Sequence, residues 1–164
     1  MTHATSTPSH VAFDLGLQTT GVAWDDGSDH FVCPAKHRRS PITPAREHDR
    51  YCWWRDTFRM ILLPHPTTTT VIVEAPFIHR RNINGSVGLV LLHGILRAVA
   101  IDGGHDFATV ENRTLKKWAT TKGTADKTAM MTAARRLGWS GSNHDEADAY
   151  LLWAYWATCP KETL

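Results

Sequence analysis

Four carboxylates in this chain occupy positions that ordinary surface chemistry does not explain. Asp14 interrupts the apolar run "VAFDLGL" (Val11–Leu17) and Glu74 sits near the end of the β-branched run "TTVIVEAP" (Thr69–Pro76). Asp145 and Asp148 lie three residues apart at the mouth of "NHDEADAYLLW" (Asn143–Trp153). Strand side chains alternate, so Asp14 shares a face with Ala12 and Gly16, opposite Phe13 and Leu15. An Asp in a central strand is costly unless something pairs with it or neutralises it. On a helix, residues three apart face the same way, so Asp145 and Asp148 form a pair. Asp145 alone also reads as a helix-start residue favoured by the positive dipole end. Asp148 lies deeper, and Asp14 has no capping role. Clustered carboxylates repel one another, and hard divalent cations with oxygen ligands are the simplest way to hold them charged, two ions about 3.5–4 Å apart clamping a scissile phosphate. Spacing alone does not show that the four converge.

The elements that would carry these acids follow from the pattern of apolar residues. Val11–Leu17 and Gly21–Trp24 read as strands, and Asp26–Gly27 is a turn signal leading to a third strand within His30–Pro34. A basic, Pro-bearing loop from Ala35 to Pro44 precedes a helix over Ala45–Leu63, in which Tyr51, Trp54, Phe58, Ile61 and Leu62 recur at helical spacing; Pro64 and Pro66 stop it. Thr69–Pro76 is an interior strand. An apolar helix of about fifteen residues, from about Val87 to Val99, stops before Gly103–Gly104. "HDFATVENRT" supplies a fifth strand, an amphipathic helix opens near Asp126 and closes at Gly138, and the last helix is capped by Ser142 or Asn143. The expected order is β-β-β-α-β-α-β-α-α, an α/β fold with a five-stranded mixed sheet flanked by helices.

With 164 residues, one domain is the working count. Residues 11–160 form it, residues 1–10 are a polar leader without secretion signals, and residues 161–164 are a tail. An apolar fraction of 42% with seven Trp excludes a disordered chain. The apolar runs read as too short and too interrupted by charge to cross a bilayer, so no membrane is expected. Three widely spaced Cys (Cys33, Cys52, Cys159) suit neither a disulfide scaffold nor a thiolate metal site, and point to a reducing interior. The expected location is the cytoplasm. No small-molecule cofactor is expected. The net charge of +2 only hints at a polyanionic partner. Its distribution says more, with clusters at Lys36–Arg39, His79–Asn82, Leu115–Trp118, Lys122, Lys127 and Arg135–Arg136. Any one of them alone reads first as a solvated face, and they point to phosphate only if the fold gathers them on one side.

"FDLGLQTTGVAW" resembles the first strand and hairpin of the ribonuclease H-like superfamily. From Ala12 to about Ala157 the chain resembles the RuvC family of Holliday junction resolvases, in particular its compact phage-type members. "VIVEAPF" is similar to the strand carrying that family's second acid, "LKKWATTKGTADK" to its lysine-rich DNA-contact segment, and "HDEADAYLLWAY" to its final helix, where two acids lie three apart. The resemblance implies that Asp14, Glu74, Asp145 and Asp148 are the catalytic metal ligands, with Mg²⁺ or Mn²⁺ as cofactor, two ions per site. Glu146 would point elsewhere, Asp25 and Asp26 would be solvated, and His144 would stand behind the ligands or on the phosphate side. The implied reaction is hydrolysis of a DNA phosphodiester to 5′-phosphate and 3′-hydroxyl ends, on four-way junctions and other branched DNA, by a homodimer.

Lys116, Lys117, Lys122 and Lys127 bracket "TTKGTAD", where Gly123 would let the backbone approach DNA and the lysines would attract phosphate; the alternative is a surface loop before a helix. Phe77, Arg80 and Arg81 follow Glu74 and resemble a loop reaching the junction centre, where an aromatic wedges between bases; Phe77 reads equally as core. Val87, Leu91 and Ile95 would form a ridge for dimerisation, against a monomer with this helix fully packed. Trp118, beside the lysines, is a candidate stacking residue. The competing functions are a ribonuclease H cutting RNA–DNA hybrids and a catalytically silent branched-DNA binding protein.

Overall fold

The computed structural model describes residues 9–25, 27–34, 43–78 and 83–159. The leader before Ser9, Asp26, the basic cluster Lys36–Arg39, Arg80, Arg81 and the tail beyond Cys159 lie outside the described residues.

Among the described residues five strands form one sheet: β1 (His10–Asp14), β2 (Thr19–Trp24), β3 (Gly27–Val32), β4 (Thr70–Glu74) and β5 (Asp106–Val110). Their order across the sheet is β3-β2-β1-β4-β5. β1, β2 and β3 make an antiparallel meander, whereas β4 and β5 run parallel to β1. This is the expected mixed sheet. Among the described residues there are five helices, α1 (Pro44–Leu62), α2 (Ile83–Asp102), α3 (Asn112–Thr120), α4 (Lys127–Arg136) and α5 (His144–Thr158).

The period-two alternation of the inner strands divides the core into two layers. Val11, Phe13, Val71 and Val73 point to one face, where Trp54, Phe58, Ile61 and Leu62 of α1 and Leu92, Leu96, Val99 and Ala100 of α2 cover them. Ala12 and Ile72 point to the other, beneath Leu115 of α3, Met130 and Ala133 of α4, and Ala147, Leu151 and Leu152 of α5. Helices on both faces explain why β1 and β4 are apolar along their length and why an acid in either must sit at an end.

Three sequence expectations are corrected. The first half of the lysine-rich segment, to Thr120, belongs to a helix, α3, because Leu115 and Ala119, one turn apart, both bury in the second core layer; Lys122 lies in the connection that follows. α2 is longer than expected and, by length and composition, is apolar enough to cross a membrane, contrary to the reading of the apolar runs as too short. Its inner face lies in the core against α1 and the sheet. Ile95 belongs to that inner face and packs on the first core layer. The outward stripe runs instead through Ile83, Val87, Val90, Leu91 and Ile101, all exposed.

α5 reaches the sheet through a gap left by one residue. Gly21 of β2 is the ladder partner of Asp14. A Cβ built on Gly21 would stand 1.9 Å from the carbonyl oxygen of Asp145 and 2.8 Å from the nitrogen of Glu146. The first turn of α5 therefore rests on bare backbone. Gly21→Ala should destabilise the protein by about 1–3 kcal/mol, the usual cost of overpacking, because both contacting groups are backbone. Gly123→Ala, whose nearest neighbour would be at 3.5 Å, should stay within about 0.5 kcal/mol of wild type. Urea unfolding of the two variants checks the contrast.

Candidate active site

Asp14 and Glu74 are the last residues of β1 and β4, adjacent strands running parallel, so their backbones end side by side at the same sheet edge. Both follow the alternation onto the face covered by α5. Asn143 caps α5, its side-chain oxygen accepting from the backbone N–H of Asp145 at 2.8 Å and of Glu146 at 3.4 Å. With the first turn seated on Gly21, Asp145 and Asp148 face the two strand acids.

The charges show that the four converge. Burial raises the Asp14 carboxyl well above the ordinary range, with Asp148, Glu74 and Asp145 adding repulsion in that order and Lys127 opposing. Burial likewise pushes Asp148 up to about 7, helped by Glu74 and Asp145 and resisted by Lys116 and Lys127. Glu74 is raised by burial, against a hydrogen bond from Asn112 and the charge of Lys116. One oxygen of Asp148, Oδ1, is buried and has no hydrogen-bond partner among the described residues. A buried carboxylate oxygen without a donor, amid three further acids, fits a cation.

Around this centre two clefts open. One, of about 560 Å³, is bounded by Asp14 and Glu74 and by Phe77, Leu89, His93 and Asn112. The other, of about 680 Å³, is bounded by Asp145 and His144 and again by Phe77 and Leu89. Phe77 is 73% exposed, which removes it from the core. His144 Nε2 stands 3.4 Å from Asp145 Oδ1.

The lysines divide. Lys116 is half-buried and acts with Lys127 on the acids, whereas Lys117 and Lys122 are exposed. Trp118 packs edge-on against Tyr155, ring centroids 5.5 Å apart, and joins the second core layer. Gly123 has only ordinary contact distances around it. The left-handed residue of that loop is Thr121, φ 66°. Glu146 turns away from the acids to His30 Nδ1 at 2.5 Å, tying edge strand β3 to α5. Asp29, His30 and Glu146 bring ligand atoms within 4.8 Å of one another, a second donor set capable of holding a metal ion. Asp25 is exposed and accepts from Trp153 Nε1 at 3.3 Å.

Three contributors to the site are not legible in the sequence. Gly21 carries no signal beyond strand position, since its contact is with the far end of the chain. Asn112 and His30 meet their acidic partners only through tertiary structure.

No protein-family model matches the sequence, and no curated protein matches it. Solved structures do. Thermus thermophilus RuvC superposes with a TM-score of 0.67 at 17% identity, over 91% of this chain and 95% of that one. The same protein in complex with a Holliday junction substrate gives 0.68 at 16% identity, over 92% and 95%. The fold is that of the RuvC resolvases. The yeast mitochondrial Holliday junction resolvase Ydc2 shares the RuvC-like fold, with a TM-score of 0.61 at 11% identity over 92% of this chain and 78% of that one.

The raised carboxyls set a pH dependence for the metal-free protein. A carboxyl whose folded pKa lies above its unfolded value contributes stability that is full below the unfolded value, near 3.9 for Asp, and lost as pH rises through the folded one. For Asp148 that loss extends up to about pH 7. Metal-free protein should therefore melt lower at pH 8 than at pH 6. Asp148→Asn should melt higher than wild type at pH 8 and flatten the difference. Thermal scans in chelator at both pH values check this.

Proposed function

We propose that this protein is a structure-selective DNA endonuclease that resolves Holliday junctions and other branched DNA by metal-dependent hydrolysis, leaving 5′-phosphate and 3′-hydroxyl ends. The observation that carries the reading is the convergence of Asp14, Glu74, Asp145 and Asp148 around a buried, unpartnered carboxylate oxygen, within a fold shared with RuvC.

These four residues would hold the divalent cations, Mg²⁺ or Mn²⁺, two to a site. When bound, such ions lower the pKa of an attacking water and stabilise charge at the leaving 3′ oxygen. The chain's own groups do the rest. The strand ends and α5 hold the carboxylates in place before substrate arrives. Lys116 and Lys127, already beside the acids, draw the scissile phosphate towards them, and exposed Lys117 and Lys122 meet phosphates further out. Phe77, projecting between the two clefts, stacks on bases opened at the junction centre; Arg80 and Arg81 follow it in sequence and belong to the same proposed contact. His144 orients Asp145 from the second cleft.

Two symmetric nicks in a four-way junction call for two sites, and the exposed apolar stripe of α2 supports a homodimer across a two-fold axis. The same stripe would explain why α2 is apolar all round: one side faces the core and the other a second copy.

The test is to incubate wild-type protein and Mg²⁺ with synthetic four-way junctions, linear duplexes and RNA–DNA hybrids, and to map the products. Paired nicks near the junction centre, from protein that sediments as a dimer, are expected. Asp14→Asn, Glu74→Gln, Asp145→Asn and Asp148→Asn should each lower single-turnover cleavage more than the roughly 10–100-fold typical of residues behind the ligands, with junction binding retained. Cleavage of the hybrid alone would make the protein a ribonuclease H. Binding of junctions without cleavage by wild type in either metal would make it a silent binding protein.

A further inference from the structure

Glu74 is held from behind by a residue on a different element. Asn112 is the first residue of α3, and its side-chain nitrogen donates to Glu74 Oε2 at 2.8 Å. α3 is anchored independently of the acids, since Leu115 is fully buried and Ala119 nearly so in the second core layer. The chain entering it is fixed too: Ala75 N–H donates to the carbonyl of Val110 at 2.9 Å, so the segment after Glu74 runs beside the end of β5, two residues ahead of Asn112. The donor therefore stands on a rigid mount, fixed relative to the strand that carries its acceptor.

From this geometry we infer that Asn112 is a positioning residue for the metal site: its amide fixes the rotation of the Glu74 carboxylate, engaging Oε2 and leaving Oε1 as the free ligand atom. The inference rests on the reading of Glu74 as a metal ligand. A carboxylate at a strand end has free torsions, and in a cluster of like charges it would otherwise swing away from Asp14 and Asp148. A neutral amide restrains it without adding charge. Asn suits the task where Asp would add repulsion and a Lys would neutralise the ligand it is meant to present. Lys116, one turn further along α3, acts on the same carboxylate through its charge. One face of α3 thus supplies both a directional hold and a positive field.

The test is a direct measurement of Mn²⁺ binding to purified full-length protein, without DNA, by electron paramagnetic resonance titration. Wild type is compared with Asn112→Leu, which keeps the side-chain size without the donor, Asn112→Ser, which restores a shorter donor, and Glu74→Gln. Thermal melting in chelator establishes that each variant is folded. Asn112→Leu should weaken Mn²⁺ binding by about 10–100-fold, with Asn112→Ser between it and wild type. In junction cleavage, the Mn²⁺ concentration giving half-maximal rate should rise by a similar factor while the rate at saturating Mn²⁺ changes much less. Wild-type Mn²⁺ affinity in folded Asn112→Leu, with binding lost in Glu74→Gln, would overturn the positioning role and leave the metal site standing. Wild-type affinity in Glu74→Gln would overturn the assignment of Glu74 as a ligand, and the inference with it. If Asn112→Leu does not fold, Asn112→Ala, which removes the donor without adding apolar bulk, decides in its place, and an unshifted Mn²⁺ titration there refutes the role.

Discussion

The first turn of α5 sits on Gly21 with no side chain between them, and the candidate site depends on that contact. A helix packed on a sheet is normally held off by the side chains of both. Here the carbonyl of Asp145 lies where the Cβ of any other residue at position 21 would be. Because Gly21 is paired in the ladder with Asp14, the gap opens beside the strand acid. Asn143 satisfies the free amides of the helix start, and His30 holds Glu146 on the far side. Two ties and one gap thus fix the approach of the helix, and the approach fixes Asp145 and Asp148.

That approach is unfavourable in itself. It brings four carboxylates together, and burial with mutual repulsion raises Asp14 and Asp148. The scaffold resists by other means, through two core layers that share the sheet. The lysines of α3 and at the start of α4 relieve part of the repulsion, and Asn112 relieves part at Glu74. What is left, including the unpartnered oxygen of Asp148, suits a divalent cation. A site that is costly when empty and relieved on binding couples metal affinity to fold stability.

Much of this was legible in the sequence, for identifiable reasons. β1 and β4 declared themselves because buried strands are nearly all apolar, which made Asp14 and Glu74 conspicuous within them. Asp145 and Asp148 were conspicuous because helical spacing paired them ahead of a buried run. Helix α3 was hidden: only two anchors, Leu115 and Ala119, set its period, and six of its nine residues are charged or polar. The phase of α2 is not legible in the sequence, because a helix apolar on every side has no polar face to orient it; Ile95, expected on the outward ridge, packs inward. Gly21, Asn112 and His30 were invisible because their meaning lies in residues distant along the chain.

The most direct measurement is a crystal structure of the protein grown with Mn²⁺, read by its anomalous scattering. Anomalous density bonded to oxygens of Asp14, Glu74, Asp145 and Asp148 is the predicted result. Density confined to Asp29, His30 and Glu146, with the four acids left bare at saturating Mn²⁺, would contradict it.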